Sequence, residues 1–106
     1  MEFMQLKMFR LVAEERSVQR AASRVGRTQP AVSFALKKLE QEVGLPLFNP
    51  LERRSYTLTT AGHLLYSYAV RLQRLGAETK SALESLCSRD NRTRNADAGV
   101  LAVRPA

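Results

Sequence analysis

Two helix start signals and two helix stop signals fall within the 28 residues from Ser17 to Gly44, and the helices they define are only about three residues apart. Ser17 precedes a run in which Val18, Ala21, Ala22 and Val25 share one face, and a serine so placed can accept an amide hydrogen from the first turn. Gly26 can take the left-handed conformation that ends a helix. Thr28 then caps a second run with Pro30 in its first turn, where a missing N–H costs nothing because those amides have no intrahelical partner. Two helices joined by a tight turn containing glycine, the first short with paired alanines that permit close approach, outline a helix-turn-helix.

The second helix has two unlike faces. With Val32 set at zero and about 100° per residue, Leu36, Leu39 and Val43 all fall within about 40° of it. The opposite face holds Pro30, Ser33, Phe34, Lys37, Lys38 and Gln41. Phe34 lies about 200° from Val32, which removes it from the core stripe by periodicity.

The flanking segments complete an architecture. Phe3, Leu6, Phe9, Val12 and Ala13 recur at three- and four-residue steps and predict a first amphipathic helix to about Glu15. After Gly44, "LPLFNPLERRSYTLT" places Leu47, Phe48, Tyr56 and Leu58 on either side of a turn-prone centre with Pro50, Arg53 and Arg54, which predicts a short two-stranded wing tipped by both arginines. Thr59 caps a long helix expected to run to about Leu86, in which Leu65, Tyr68, Leu72, Leu75, Thr79, Ala82 and Leu86 alternate steps of three and four as a coiled-coil seam does. Such a seam calls for a second copy of the chain. The fold class is therefore mainly α: a winged helix-turn-helix over residues 1–59, a linker and dimerisation helix over 60–88, and a polar segment over 89–106 that turns apolar again at "VLAVRPA".

Composition narrows the partners. Seventeen lysines and arginines against ten acids give the 106-residue chain a formal charge of +7 and a pI near 10.3, which suits a polyanion. Eight basic residues against three acidic ones fall between Arg16 and Arg54, a surplus of five on the segment that carries the motif. No apolar run approaches the roughly 20 residues that span a bilayer, the N-terminus lacks a signal-peptide pattern, and Glu78 and Glu84 interrupt any cationic face of the long helix, so the cytoplasm is expected. One cysteine, Cys87, and one histidine, His63, provide neither an internal disulfide nor a metal cluster, and no nucleophile and base stand out as a set. No enzyme activity and no cofactor are expected.

Three stretches together resemble the N-terminal DNA-binding domain of LysR-type transcriptional regulators. "LKMFRLVAEERSVQRAASRV" resembles the family's opening helix and Ser-x-x-x-Ala-Ala second helix, "TQPAVSFALKKLEQEVGLPLF" its recognition helix and wing, and "LTTAG" the entry to its linker helix. "GVLAVRPA" resembles the hinge and first strand of a small-molecule effector-binding domain, which the resemblance implies in full-length members and which would lie beyond Ala106. The resemblance also implies dimers through the long helix, tetramers of full-length proteins, and bending of promoter DNA. Two departures stand out. The position of Phe34 is most often arginine or another polar residue in the family and that of Ala35 often glutamine, and the wing is about one residue longer than the common form.

On double-stranded DNA, Gln29, Pro30, Ser33 and Phe34 are the base-reading candidates: Gln29 for a bidentate contact to adenine, Ser33 for a base or a phosphate, Pro30 and Phe34 for thymine methyls. Pro30 has the alternative of only starting its helix, and Phe34 that of cover by a neighbouring element or of contact with another copy. Ser17, Arg20, Thr28, Lys37, Lys38, Arg53 and Arg54 are the phosphate candidates, against the alternative of a solvated basic surface. Sequence-specific binding of DNA by a dimer on an interrupted inverted repeat is the function expected. The alternative is a helical interaction module that binds DNA without sequence preference.

Overall fold

The first helix, α1 (Phe3–Glu15), begins where the Glu2 amide donates to Gln5 Oε1 at 2.8 Å, which satisfies the polar end of an otherwise buried glutamine. The computed structural model describes residues 1–52 and 54–97, the last eight of them as backbone only. Leu6, Phe9 and Val12 are buried as their spacing predicts, and Met8 and Leu11 join them because α1 packs against both following helices and so buries a wider arc. Phe3, in the first turn, stays half exposed. Arg16 closes the helix in the left-handed region at φ 54°, with its amide on Val12 O at 2.7 Å. That conformation costs a non-glycine residue about 1 kcal/mol, and the Arg16 guanidinium offsets it by donating from Nε to Ser55 O at 3.0 Å.

Both motif helices form between their expected caps. Ser17 Oγ accepts from the Arg20 amide at 3.1 Å at the start of α2 (Val18–Val25), and Gly26 ends it at φ 70°. Thr28 Oγ1 accepts from the Ala31 amide at 3.2 Å at the start of α3 (Gln29–Val43), and Gly44 ends it at φ 84°. Val18, Ala21 and Ala22 of α2 and Val32, Leu36 and Leu39 of α3 are buried against α1. Val43 is at the end of this stripe and is 37% exposed, because the core stops one turn short of the helix terminus.

The wing is leaner than a pair of strands. Phe48 and Leu58 form one isolated antiparallel bridge, flanked by hydrogen bonds from the Asn49 amide to Thr57 O at 2.8 Å and from the Thr59 amide to Leu47 O at 3.0 Å. Pro50 has no amide to extend the ladder, and the chain coils instead into a 3₁₀ turn at Pro50–Glu52, with Asn49 Oδ1 taking the Leu51 amide at 3.0 Å. The wing is anchored from below. Leu47 is fully buried, and Phe48 packs between Phe9 and Tyr56 at centroid distances of 5.4 and 5.5 Å. Glu40 of α3 accepts from the Leu47 and Phe48 amides at 2.7 and 3.4 Å. Glu40→Ala is expected to cost about 1.5–3 kcal/mol in urea unfolding, the range for hydrogen bonds to a charged group, and Glu40→Gln, which keeps an acceptor, less.

The last helix, α4 (Thr60–Asp97), starts with Thr59 Oγ1 accepting from the Gly62 amide at 3.0 Å while its hydroxyl donates to Pro46 O at 2.7 Å. It continues past the end expected near Leu86 to Asp97, because "SRDNRTRNAD" contains neither glycine nor proline to break it. The chain divides into two units, Met1–Gln73 and the segment from Arg74 onward. In the first unit Ala69 is fully buried, with Leu65 and Tyr66 packed beside it. Polar side chains tie the same turns to α1. Arg10 Nε donates to Gln73 Oε1 at 2.7 Å, the Tyr66 hydroxyl donates to Glu14 Oε2 at 2.9 Å, and Arg10 and Arg24 pair with Glu14 at 2.8 and 3.4 Å. Burial pushes the Glu14 carboxyl up, but Tyr66, Arg10 and Arg24 together outweigh it and hold it below its ordinary value. In the second unit, Leu75, Leu83 and Leu86 are exposed on the helix.

Candidate nucleic-acid interface

The outward face of α3 collects the base-reading candidates. Gln29, Pro30, Ser33, Phe34, Lys37 and Lys38 are all exposed, and at about 100° per residue they fill one half of the helix circumference, with Val32, Leu36 and Leu39 in the other. Phe34, 69% exposed, is almost opposite the centre of the buried stripe. The ring is not covered by the wing; it borders a shallow groove of about 180 Å³ between α1 and α3, beside Met4, Met8, Ala35 and Lys38.

Two further depressions flank this face. One, of about 340 Å³, runs between Ser33 and Lys37 of α3 and Asn49, Pro50 and Tyr56 of the wing. The other is an open cleft of about 520 Å³ where Ser17 and Arg20 at the start of α2, Gln29 at the start of α3, and Arg54 of the wing come together with Arg16. Thr28 Oγ1 and Ser17 Oγ spend an acceptor lone pair on their caps, and each hydroxyl hydrogen is left to donate to an anion. The first-turn amides and the helix dipole at the start of α3 favour the same charge.

The basic residues divide into two groups. Arg20 donates from Nε to Glu15 Oε1 at 3.3 Å and from Nη2 to Glu15 O at 2.7 Å, and Arg24 pairs with Glu14 and Glu15 at 3.4 and 3.1 Å. Arg27, Lys37, Lys38 and Arg54 are exposed, and no ion pair engages them among the described residues. The expected phosphate role of Arg20 thus requires a change of partner, which is inexpensive because a surface ion pair contributes at most about 1 kcal/mol. Arg53 lies outside the described residues.

Arg16 and Gln19 were not expected in this cleft from the sequence. Their position immediately around the Ser17 cap was the available signal, since residues beside an N-cap share its access to an anion. No group of three histidine, cysteine, aspartate or glutamate side chains able to hold a metal occurs among the described residues, nor a helix long and apolar enough to cross a membrane.

The seam candidates on α4 are placed unit by unit. In the first, Leu65 is half-buried on the core, whereas Tyr68 and Leu72 are 50% and 41% exposed, with the Arg71 guanidinium 5.0 Å from the Tyr68 ring centroid. In the second, Leu75, Thr79, Ala82 and Leu86 are exposed. Leu64 and Leu83, absent from the expected seam, are also exposed on these segments and broaden the apolar stripe.

The comparisons with known proteins agree with this arrangement. Residues 3–63 match the family described as "Bacterial regulatory helix-turn-helix protein, lysR family". The chain is 42% identical over 82 residues to the probable RuBisCO transcriptional regulator of Cyanidioschyzon merolae, covering 77% of this chain and 27% of that protein. It is 44% identical over 72 residues to the HTH-type transcriptional regulator BudR of Klebsiella aerogenes, covering 68% and 50%. The chain thus spans about a quarter of the length of the RuBisCO regulators it matches. Among solved structures, the "BenM_DBD/catB site 1 DNA Complex" is similar at 32% identity with a TM-score of 0.78, covering 83% of this chain and 98% of that one. The "CbnR_DBD-DNA complex" is similar at 32% identity with a TM-score of 0.74, covering 82% and 99%. With a capped helix-turn-helix, a bridged wing and a match over most of both, the chain belongs to the lysR family of bacterial regulatory helix-turn-helix proteins.

Proposed function

We propose that this chain binds double-stranded DNA in a sequence-specific manner for transcription regulation in the bacterial cytoplasm, as a homodimer on an interrupted inverted repeat. The observation that carries the reading is the outward face of α3, where Gln29, Pro30, Ser33 and Phe34 stand exposed between a basic cleft and two lysines that no ion pair engages among the described residues. A helix entering the major groove by its first turns presents these side chains to base edges, while Ser17, Arg20, Thr28, Lys37, Lys38, Arg53 and Arg54 hold phosphates. The similar BenM and CbnR structures are complexes with DNA, which supports the same use of this face. Residues 1–59 make up the DNA-binding domain in this reading, and the exposed stripe through Tyr68, Leu72, Leu75, Thr79, Ala82 and Leu86 pairs with a second copy, with Leu65 bridging from seam to core.

Two measurements test the reading. Gln29→Ala or Ser33→Ala is expected to reduce discrimination between a selected site and mismatched sites by about 1–3 kcal/mol per lost contact, with the fold unchanged because both residues are exposed. Equal weakening on every sequence would instead favour an interaction module that holds DNA only by its phosphates. Binding to any duplex is expected to fall steeply as salt rises, because each neutralised phosphate releases counterions.

A further inference from the structure

Phe34 stands where a solvated domain gains nothing from an aromatic ring. It is opposite the core stripe of α3, 69% exposed, and takes part in neither of the aromatic ring pairs found among the described residues. Around it on the same face are Pro30, Ser33, Lys37 and Lys38, and neither lysine has an ionic partner among the described residues. The lysines select a polyanion as the occupant of this face, and the ring between them must meet an apolar group that the polyanion presents. A membrane surface fits poorly, since Gln29, Ser33 and Gln41 interrupt the continuous apolar face that insertion needs.

In the major groove, the apolar group that a base pair offers is the methyl on C5 of a pyrimidine. Thymine carries that methyl. Cytosine methylated at C5 carries it at the same place in the groove, although the two bases differ at C4, where one accepts a hydrogen bond and the other donates. A benzyl side chain makes no hydrogen bond and so responds to the methyl rather than to C4. We propose that Phe34 is a reader of the pyrimidine C5 methyl group, so that the sequence preference of this chain responds to that methyl whether thymine or 5-methylcytosine supplies it. The proposal rests on the DNA-binding reading above and adds to it a sensitivity to cytosine methylation.

The test uses the full chain and duplexes it selects from a random pool. Each thymine is replaced in turn by deoxyuridine, which removes only the methyl, and each cytosine by 5-methylcytosine, which adds only the methyl. At one position in each half-site, deoxyuridine is expected to weaken binding about fourfold, the effect of one buried methyl group. Cytosine at that position should bind more weakly than thymine, and its methylation should recover about the same factor. Phe34→Ala should retain the fold, by circular dichroism and melting temperature, and lose both responses. The proposal is overturned if deoxyuridine changes nothing at any position, if the response survives in Phe34→Ala, or if 5-methylcytosine gives no recovery where deoxyuridine costs affinity. Failure of the DNA-binding reading would look different, since no duplex would then be enriched from the pool.

Discussion

The double variant Leu72→Glu, Leu75→Glu is expected to sediment as a monomer where the parent chain sediments as a dimer. Leu72 and Leu75 are 41% and 58% exposed on α4, so neither is needed to fill the core of a single chain. Burying a leucine side chain stabilises by about 1.5–3 kcal/mol, and a two-fold interface counts each substitution twice. Carboxylates in the same place would have to be desolvated without partners, which adds a penalty of several kcal/mol to the lost burial. Glutamate and leucine have similar helix propensities, so far-UV circular dichroism should show α4 intact.

The loss on DNA should exceed the loss of contacts. A dimer that holds one half-site keeps its second reading helix at high effective concentration over the other, and this linkage raises affinity by roughly 10²–10⁴. The monomeric variant should therefore bind a duplex with two half-sites about 100-fold more weakly than the parent, and scarcely better than a duplex with one. Dimers of unchanged stability would sink the assignment of this stripe as the pairing surface. Full affinity in a monomer would sink the two-site reading.

The parts of the fold that sequence disclosed are those set by local chemistry. Ser17, Gly26, Thr28 and Gly44 act within a few residues of themselves, and the boundaries of α2 and α3 follow from them. Periodicity likewise placed Phe34 opposite the core, where it is found. What stayed hidden depends on partners distant in sequence. The wing is held by Glu40 and by Phe9 across Phe48, and its single bridge reflects a coiling at Pro50 that a strand pattern does not reveal. Arg20 and Arg24 raise the local positive charge in any count along the chain, yet Glu14 and Glu15 at the end of α1 engage both. The free charge of the site therefore centres on the turn, on α3 and on the wing, with α2 contributing less than its arginines suggest.

Gly62→Ala is expected to lower stability by about 3 kcal/mol and the melting temperature by roughly 10–20 °C, although the same change on an open helix surface stabilises by about 1 kcal/mol. Gly62 is buried in the first turn of α4, directly against the wing's entry. A Cβ there would collide with the backbone carbonyl oxygen of Leu47 and come within 2.9 Å of Leu58 Cδ2 and 3.0 Å of the Leu47 carbonyl carbon. Leu47 cannot retreat cheaply. Its side chain is fully buried, its amide is held by Glu40 at 2.7 Å, and its carbonyl accepts from the Thr59 amide at 3.0 Å. Relief by moving α4 instead would pull Thr59 from Pro46 and Gly62 from its cap on Thr59. Gly26→Ala is the control. Its Cβ meets nothing within 4 Å, so it bears only the cost of a left-handed backbone, about 1 kcal/mol. Thermal melts of the two variants should therefore separate by several degrees, with Gly62→Ala the lower. A Gly62→Ala protein that melts at or above the parent temperature would show that the wing does not hold α4 at this distance.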